Sequence, residues 1–240
     1  MKQFIIALLL LGSMQNFAQD NSAMLKHYEA YYKQMKTQGD TQGIINAITH
    51  LNILAPSEAR KDTLAYIYMS EGNYMQALNT IGYEKKTTDS DIAVQVKAIS
   101  LKALNQPKLA VGQFEEMYKR NPEPSIAYEL AELNIQTQNL EEAKKYITSG
   151  AANVKPEMKH AYYETQQPYQ VSLKAAFMYL DALYTYNKDK KGNLDAAIDI
   201  LDSALKTAPN FNMVQITKQE MLRQKQALQA QDAQGAPAGN

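Results

Sequence analysis

An all-α solenoid of stacked helical hairpins, with one inserted segment before the last hairpin, is the fold class that this sequence predicts. Three observations carry the prediction. Ala77, Ala110 and Ala143 recur at intervals of 33 residues, and Ile81, Phe114 and Ile147 follow them in step. Between proline stops, apolar residues recur at helical spacing, as in Leu64, Ile67 and Tyr68, then Ala98 and Leu101, then Leu130 and Leu133. Strand signals are nearly absent.

The chain opens on Lys2 and an unbroken apolar run, Phe4 to Leu11, broken by Gly12-Ser13, with Ala18 as a small residue before Gln19-Asp20. The run is short for a membrane span and has the layout of a secretory leader, so residues 1–18 are expected to be a signal peptide. Asn16, three positions before the expected cut, suits cleavage poorly and leaves its position open. The most apolar later stretch, Ala175 to Tyr186, is short and interrupted by Asp181, so no membrane span is expected. The expected location is outside the cytoplasm, periplasmic or secreted.

Helix pairs are expected over residues 22–56, 57–90, 91–123, 124–155 and 170–209, followed by a capping helix over 210–231 and a disordered tail over 232–240. The first copy is the weakest, because Ala47 precedes Ala77 by only 30 residues. Asn73-Tyr-Met-Gln76 and Asn139-Leu-Glu-Glu142 read as capping boxes, and Asn193 stands equivalently before Leu194. Pro107 suits a first helical position, while Pro122, Pro156 and Pro209 stop helices. A last copy carries Ala197 and Leu201, 54 residues after Ala143, so about 21 extra residues intervene, mainly in Val154 to Gln167 and partly in Lys188 to Lys191. Val214, Met221 and Leu228 form the apolar stripe of the capping helix, and from Gln229 the chain is expected to fray.

These residues resemble the tetratricopeptide repeat, a helix-turn-helix of about 34 residues with small residues at the helix crossing. The matches are Ala65, Tyr68, Ala77 and Ile81; Ala98, Leu101, Ala110, Phe114, Met117 and Pro122; Leu130, Ala131, Ala143 and Ile147; and Ala182, Ala197, Leu201, Ala204 and Pro209. The closing segment, with SLKAAF and APNFN, is similar to exported tetratricopeptide proteins of Gram-negative bacteria. The repeat's usual tryptophan is missing throughout. The resemblance implies a right-handed superhelix whose first helices line a concave groove. Carried over position by position, that groove holds Asp62, Tyr66 and Met69; Gln95, Ile99 and Lys102; Tyr128, Glu132 and Ile135; and Tyr179, Leu183 and Tyr186. Some members grip a terminal carboxylate with lysines and asparagines. Asp62, Tyr66, Gln95 and Ile99 hold the comparable places here, so that chaperone-binding role is not carried over.

Lys+Arg and Asp+Glu both number 25, which gives none of the basic excess that nucleic-acid binding draws on. Cysteine is absent, which excludes disulfides, thiolate metal sites and thiol nucleophiles. No phosphate loop, dinucleotide fingerprint, nucleophile elbow or HExxH motif occurs. His27, His50 and His160 are far apart, and the paired carboxylates Glu115-Glu116 and Glu141-Glu142 read as solvated helix faces. No cofactor or metal is expected. Sixteen tyrosines without a tryptophan suit an aromatic groove, though helical aromatic stripes also pack as core.

The leading expectation is a non-enzymatic scaffold that binds a protein or peptide with little dependence on salt. One rival is a constitutive subunit of an envelope complex, using an outer patch at Met117, Tyr118 and Tyr146. Another is a small-ligand binder or enzyme using the 154–169 insertion, with His160, Tyr162, Tyr163, Glu164 and Tyr169. The plainer reading of that insertion is a packing adapter between repeat blocks.

Overall fold

Backbone conformation keeps the repeat interval more strictly than the alanines do. In the computed structural model, which describes residues 21–235 and their side chains as far as Gln231, Gly39, Gly72, Asn105 and Gln138 all take positive φ, at 69, 76, 55 and 61°. Each follows a helix. The next residue's N–H then reaches the carbonyl five residues earlier: Asp40 to Met35, Asn73 to Tyr68, Gln106 to Leu101 and Asn139 to Asn134, at 2.8 to 3.0 Å. This Schellman termination satisfies a carbonyl that the helix itself leaves unpaired. Gly39 precedes Gly72 by 33 residues, so the first copy's turn is in register with the others. Only its buried alanine is displaced: the interval places Ile44 where the other copies have alanine.

The described chain divides into two units between Gln106 and Pro107. The first contains α1 (21–38), α2 (Thr41–Leu54), α3 (Glu58–Ser70), α4 (Tyr74–Ile81) and α5 (Asp91–Ala103). Its core joins Ile45, Ile48 and Leu64 with Tyr32 and Ile67, and Ala65, Met69, Ala77 and Val96 with Tyr68 and Ile81. The connection between α4 and α5 is tied down by Lys97. Its side chain is fully buried and donates to the Asp89 carboxylate at 2.6 Å and to the Glu84 carbonyl at 2.7 Å.

The second unit contains α6 (Pro107–Arg120), α7 (Pro124–Gln136), α8 (Leu140–Ala152), α9 (Leu173–Lys188), α10 (Leu194–Thr207) and α11 (Asn212–Gly235). Small residues set its close crossings. A Cβ on Gly150 of α8 would stand 2.3 Å from the Phe177 ring and 2.9 Å from the Ala127 Cβ, so α8 nests against α7 and α9 only as glycine. The alanines that marked the repeat, Ala47, Ala77, Ala110, Ala143 and Ala197, are all 0 % exposed. Ion pairs join Lys144 of α8 to Asp181 of α9, and Lys218 and Lys225 of α11 to Asp202 and Asp195 of α10.

Three expectations are corrected. Asn73, Asn139 and Asn193 do stand at helix starts, but none makes a side-chain cap bond. Their ψ values of 58, 69 and 8° are set by the turns that deliver them and lie away from the extended backbone that a capping side chain needs. Ser57, Ser90 and Ser172, with ψ of 125, 166 and 139°, do cap. Strand signals are nearly absent from the sequence, yet the inserted segment carries two strands. It forms β1 (Lys159–Tyr162) and β2 (Tyr169–Ser172), paired antiparallel with His160 opposite Val171 and Tyr162 opposite Tyr169. Finally, the last helix runs on to Gly235, past the expected fraying at Gln229. The expected signal peptide at 1–18 and the end of the tail lie outside the described residues.

Candidate functional site

In each strand of the hairpin, alternate residues take the same face. His160, Tyr162, Tyr169 and Val171 therefore form one face, and Lys159, Ala161, Gln170 and Ser172 the other. The first face packs onto α7, α9 and the entry to α11. The His160 ring lies 4.0 Å from that of Tyr128, and Tyr162 contacts Tyr179 at 6.5 Å and Phe211 at 4.7 Å between centroids. The Tyr128 and Tyr162 hydroxyls share a hydrogen bond of 2.7 Å. A second tie is polar. The Tyr169 hydroxyl donates to the Glu164 carboxylate and accepts from the Met213 N–H at 3.0 Å, while the Asn212 side-chain amide also donates to Glu164. The hairpin is thus pinned to the first turn of α11, where unpaired N–H groups favour a carboxylate.

This packing decides the fate of the expected groove residues in the second unit. Tyr128 is 0 % and Tyr179 9 % exposed. Their helices do turn them toward the first-helix side, but the chain's own hairpin covers them, so neither is an open anchor for a partner. Ile135 is also buried, and Glu132, Leu183 and Tyr186 are half-buried. The Tyr186 hydroxyl donates to Gln224 at 2.7 Å.

The first unit differs. Asp62 is buried and accepts from the Ser90 hydroxyl at 2.7 Å, which in turn accepts from Ala93 N–H at the start of α5. Asp62 therefore supports a helix cap rather than facing a partner. Met69 belongs to the core, and Ile99 packs against it. Gln95 and Lys102 are half-buried. Tyr66 is the expected groove residue that stands well out, 44 % exposed. Near the start of this unit a cleft of about 420 Å³ opens between α1 and α3, with α2 as its floor. Its walls are Glu29, Tyr32, Lys33, Ile48, Leu51, Arg60 and Thr63. Sequence reasoning missed these residues because the displaced alanine made the first copy look irregular; the Gly39-Asp40 turn was the signal that could have aligned it.

Burial pushes the Tyr128, Tyr162 and Tyr179 hydroxyls up from their ordinary value, and the nearby Glu132 carboxylate adds to each. Tyr169 is pushed up to about 12, first by burial and then by its bond to Glu164. Burial also acts to raise the Glu164 carboxyl, but hydrogen bonds from Tyr169, the backbone and Asn212 outweigh it and leave it lowered. A tyrosine whose folded value is raised stabilises the fold below about pH 10, and that stability is lost as the pH climbs through the folded value. An alkaline titration should therefore release several tyrosines late, near pH 12 for Tyr169, together with loss of helical circular dichroism. If tyrosinate absorbance instead shows all sixteen tyrosines ionising in one smooth step around pH 10, the hairpin is not packed in this way.

Residues considered for other roles are engaged in packing. Tyr118 and Tyr146 meet edge to face at 5.6 Å, and Met117 is half-buried. A cavity of about 290 Å³ beside the hairpin is walled by Val154, Lys155, Pro156, Ser172 and Lys174, not by His160 or the buried tyrosines. Among the described residues no group of three or more His, Asp or Glu is placed to hold a metal ion. No helix among them is long and apolar enough to cross a membrane.

Helical hairpins with a left-handed turn at each 33-residue step and alanines at the crossings define the tetratricopeptide repeat fold. Solved structures agree. The chain is similar to YrrB, described as a TPR protein with an unusual peptide-binding site, with a TM-score of 0.62 and 15 % identity over 80 % of this chain and 90 % of that one. It is also similar to a tetratricopeptide repeat protein from Parabacteroides merdae ATCC 43184, with a TM-score of 0.59 and 15 % identity over 82 % of this chain and 72 % of that one. MamA follows, with a TM-score of 0.54 and 16 % identity over 76 % and 91 %. No protein-family model and no curated protein matches the chain.

Proposed function

We propose that this chain is a non-enzymatic scaffold of the bacterial cell envelope that holds a segment of another protein on the first-helix side of its first unit. The observation that carries the proposal is the contrast between the two units. In the second, the chain's own hairpin covers the first-helix side; in the first, Tyr66 is 44 % exposed and a cleft of about 420 Å³ opens between first helices. An exposed tyrosine offers a large apolar body and a hydrogen-bonding tip at small entropic cost, as partner anchors do. The likeness of fold to YrrB, described as having a peptide-binding site, supports the same reading. The leader-like run Phe4 to Leu11 supports export to the periplasm or beyond.

The test is affinity capture from the native envelope with wild type and with Tyr66→Ala. Tyr66 keeps 44 % of its surface exposed, so the substitution should cost only about 1 kcal/mol of stability. Partners held by wild type should be lost or strongly depleted with the variant, and binding should change little with added salt. Recovery of the same partners from both chains would remove Tyr66 from the contact surface, and recovery of none from wild type would remove the scaffold reading.

A further inference from the structure

We infer that the cleft between α1, α2 and α3 is a binding pocket for an internal apolar-acidic pair in an extended peptide: a leucine-sized side chain next to an aspartate or glutamate. The inference rests on the scaffold reading and gives it a ligand chemistry. The base of the cleft is apolar: Tyr32, half-buried, offers its ring there, over Ile48 and Leu51, which keep only 1 % and 3 % of their surface exposed. A volume of about 420 Å³ accommodates one large side chain with its backbone, within the usual range of ligand sites.

The walls supply charge of mainly one sign. Lys33, Arg60 and Glu29 line the cleft, two cations and one carboxylate. Arg60 is not a loose surface charge. Its Nε–H donates to the Asn52 side chain at 3.4 Å and its Nη2 to the Ala55 carbonyl, so α2 holds the guanidinium in place. A guanidinium has five N–H donors, and these two bonds leave the rest of the fork available. A pre-oriented fork of this kind suits a carboxylate, and it gives up little rotamer freedom on binding. Lys33, exposed on α1, adds a second positive charge at the mouth. The apolar floor would provide affinity and the fork would select the neighbour of the buried side chain. A single charge pair keeps the salt dependence shallow.

The experiment uses the full chain, methyl-labelled at isoleucine and leucine, and peptides in a Gly-Ser context with acetylated and amidated ends. Blocked ends exclude a terminal carboxylate as the ligand. The Leu-Asp peptide should shift the Ile48 and Leu51 methyl signals saturably. Ala-Asp and Leu-Lys peptides should bind at least about tenfold more weakly, a difference of about 1.4 kcal/mol. Lys33→Glu should weaken Leu-Asp and favour Leu-Lys, and Glu29→Gln should strengthen Leu-Asp; unchanged methyl spectra away from the cleft verify folding of both variants. Equal binding of Leu-Asp and Leu-Lys, or no shift at Ile48 and Leu51, overturns the inference. Envelope partners lost with Tyr66→Ala but no peptide binding in the cleft would leave the scaffold reading standing and sink only this one. Peptide binding in the cleft without any captured partner would do the reverse.

Discussion

Replacing Lys97 by alanine should lower the stability of the protein by about 3–5 kcal/mol, the usual penalty for stripping one partner from a buried ion pair. The ammonium is fully enclosed, its partner Asp89 is 8 % exposed, and it also holds the Glu84 carbonyl. The substitution takes the ammonium away from the Glu84 carbonyl and from a carboxylate that keeps the Lys86 N–H but loses its counter-charge. It also frees the connection over which α4 hands the chain to α5, so protease cleavage should appear first between Gly82 and Ser90. The decisive comparison is Lys97→Met combined with Asp89→Asn, which removes both charges and should recover most of the loss. Denaturant midpoints measure both variants. A Lys97→Ala protein within about 1 kcal/mol of wild type would mean that the ion pair is open to water.

The second large effect is expected at Tyr128. Truncation to alanine empties a fully buried aromatic site between α7, α9 and the hairpin and should cost about 3–5 kcal/mol. Tyr128→Phe keeps the ring but leaves the Tyr162 hydroxyl buried without its 2.7 Å partner, at about 1–3 kcal/mol. Because the two hydroxyls satisfy one another, Tyr128→Phe with Tyr162→Phe should cost less than the sum of the single changes. Hydrogen exchange reads the consequence locally: in Tyr128→Ala, amides of 159–172 should lose protection while those of α3 to α5 keep theirs. Additive costs in the double variant would show that the hydroxyls do not depend on each other.

The repeat was legible because it is written at positions that tolerate few kinds of residue. Only a small residue lets the helix crossings at Ala77, Ala110 and Ala143 close fully, and proline cannot continue a helix, so both leave a periodic mark. The hairpin left almost none. Lys159 to Tyr162 and Tyr169 to Ser172 alternate over four residues each, too short a run to tell a strand from a turn of helix. Asp62 could not be seen as a cap support, because Ser90 lies 28 residues away. Tyr66 keeps step with Ile99 and Glu132, and Tyr128 with Asp62 and Gln95; both were expected groove residues on first helices, yet one is exposed and the other is sealed by a hairpin that the repeat spacing does not announce.

The sequence by itself therefore determined the class of fold, the helix pairs and the places where the chain turns, because helix propensity, proline stops and small-residue spacing act over a few residues at a time. Tertiary structure alone decided which first-helix surface is open. A β-hairpin recruited from between two repeats buries its aromatic face on Tyr128, Tyr179 and Phe211, and that choice is made by packing between residues tens of positions apart.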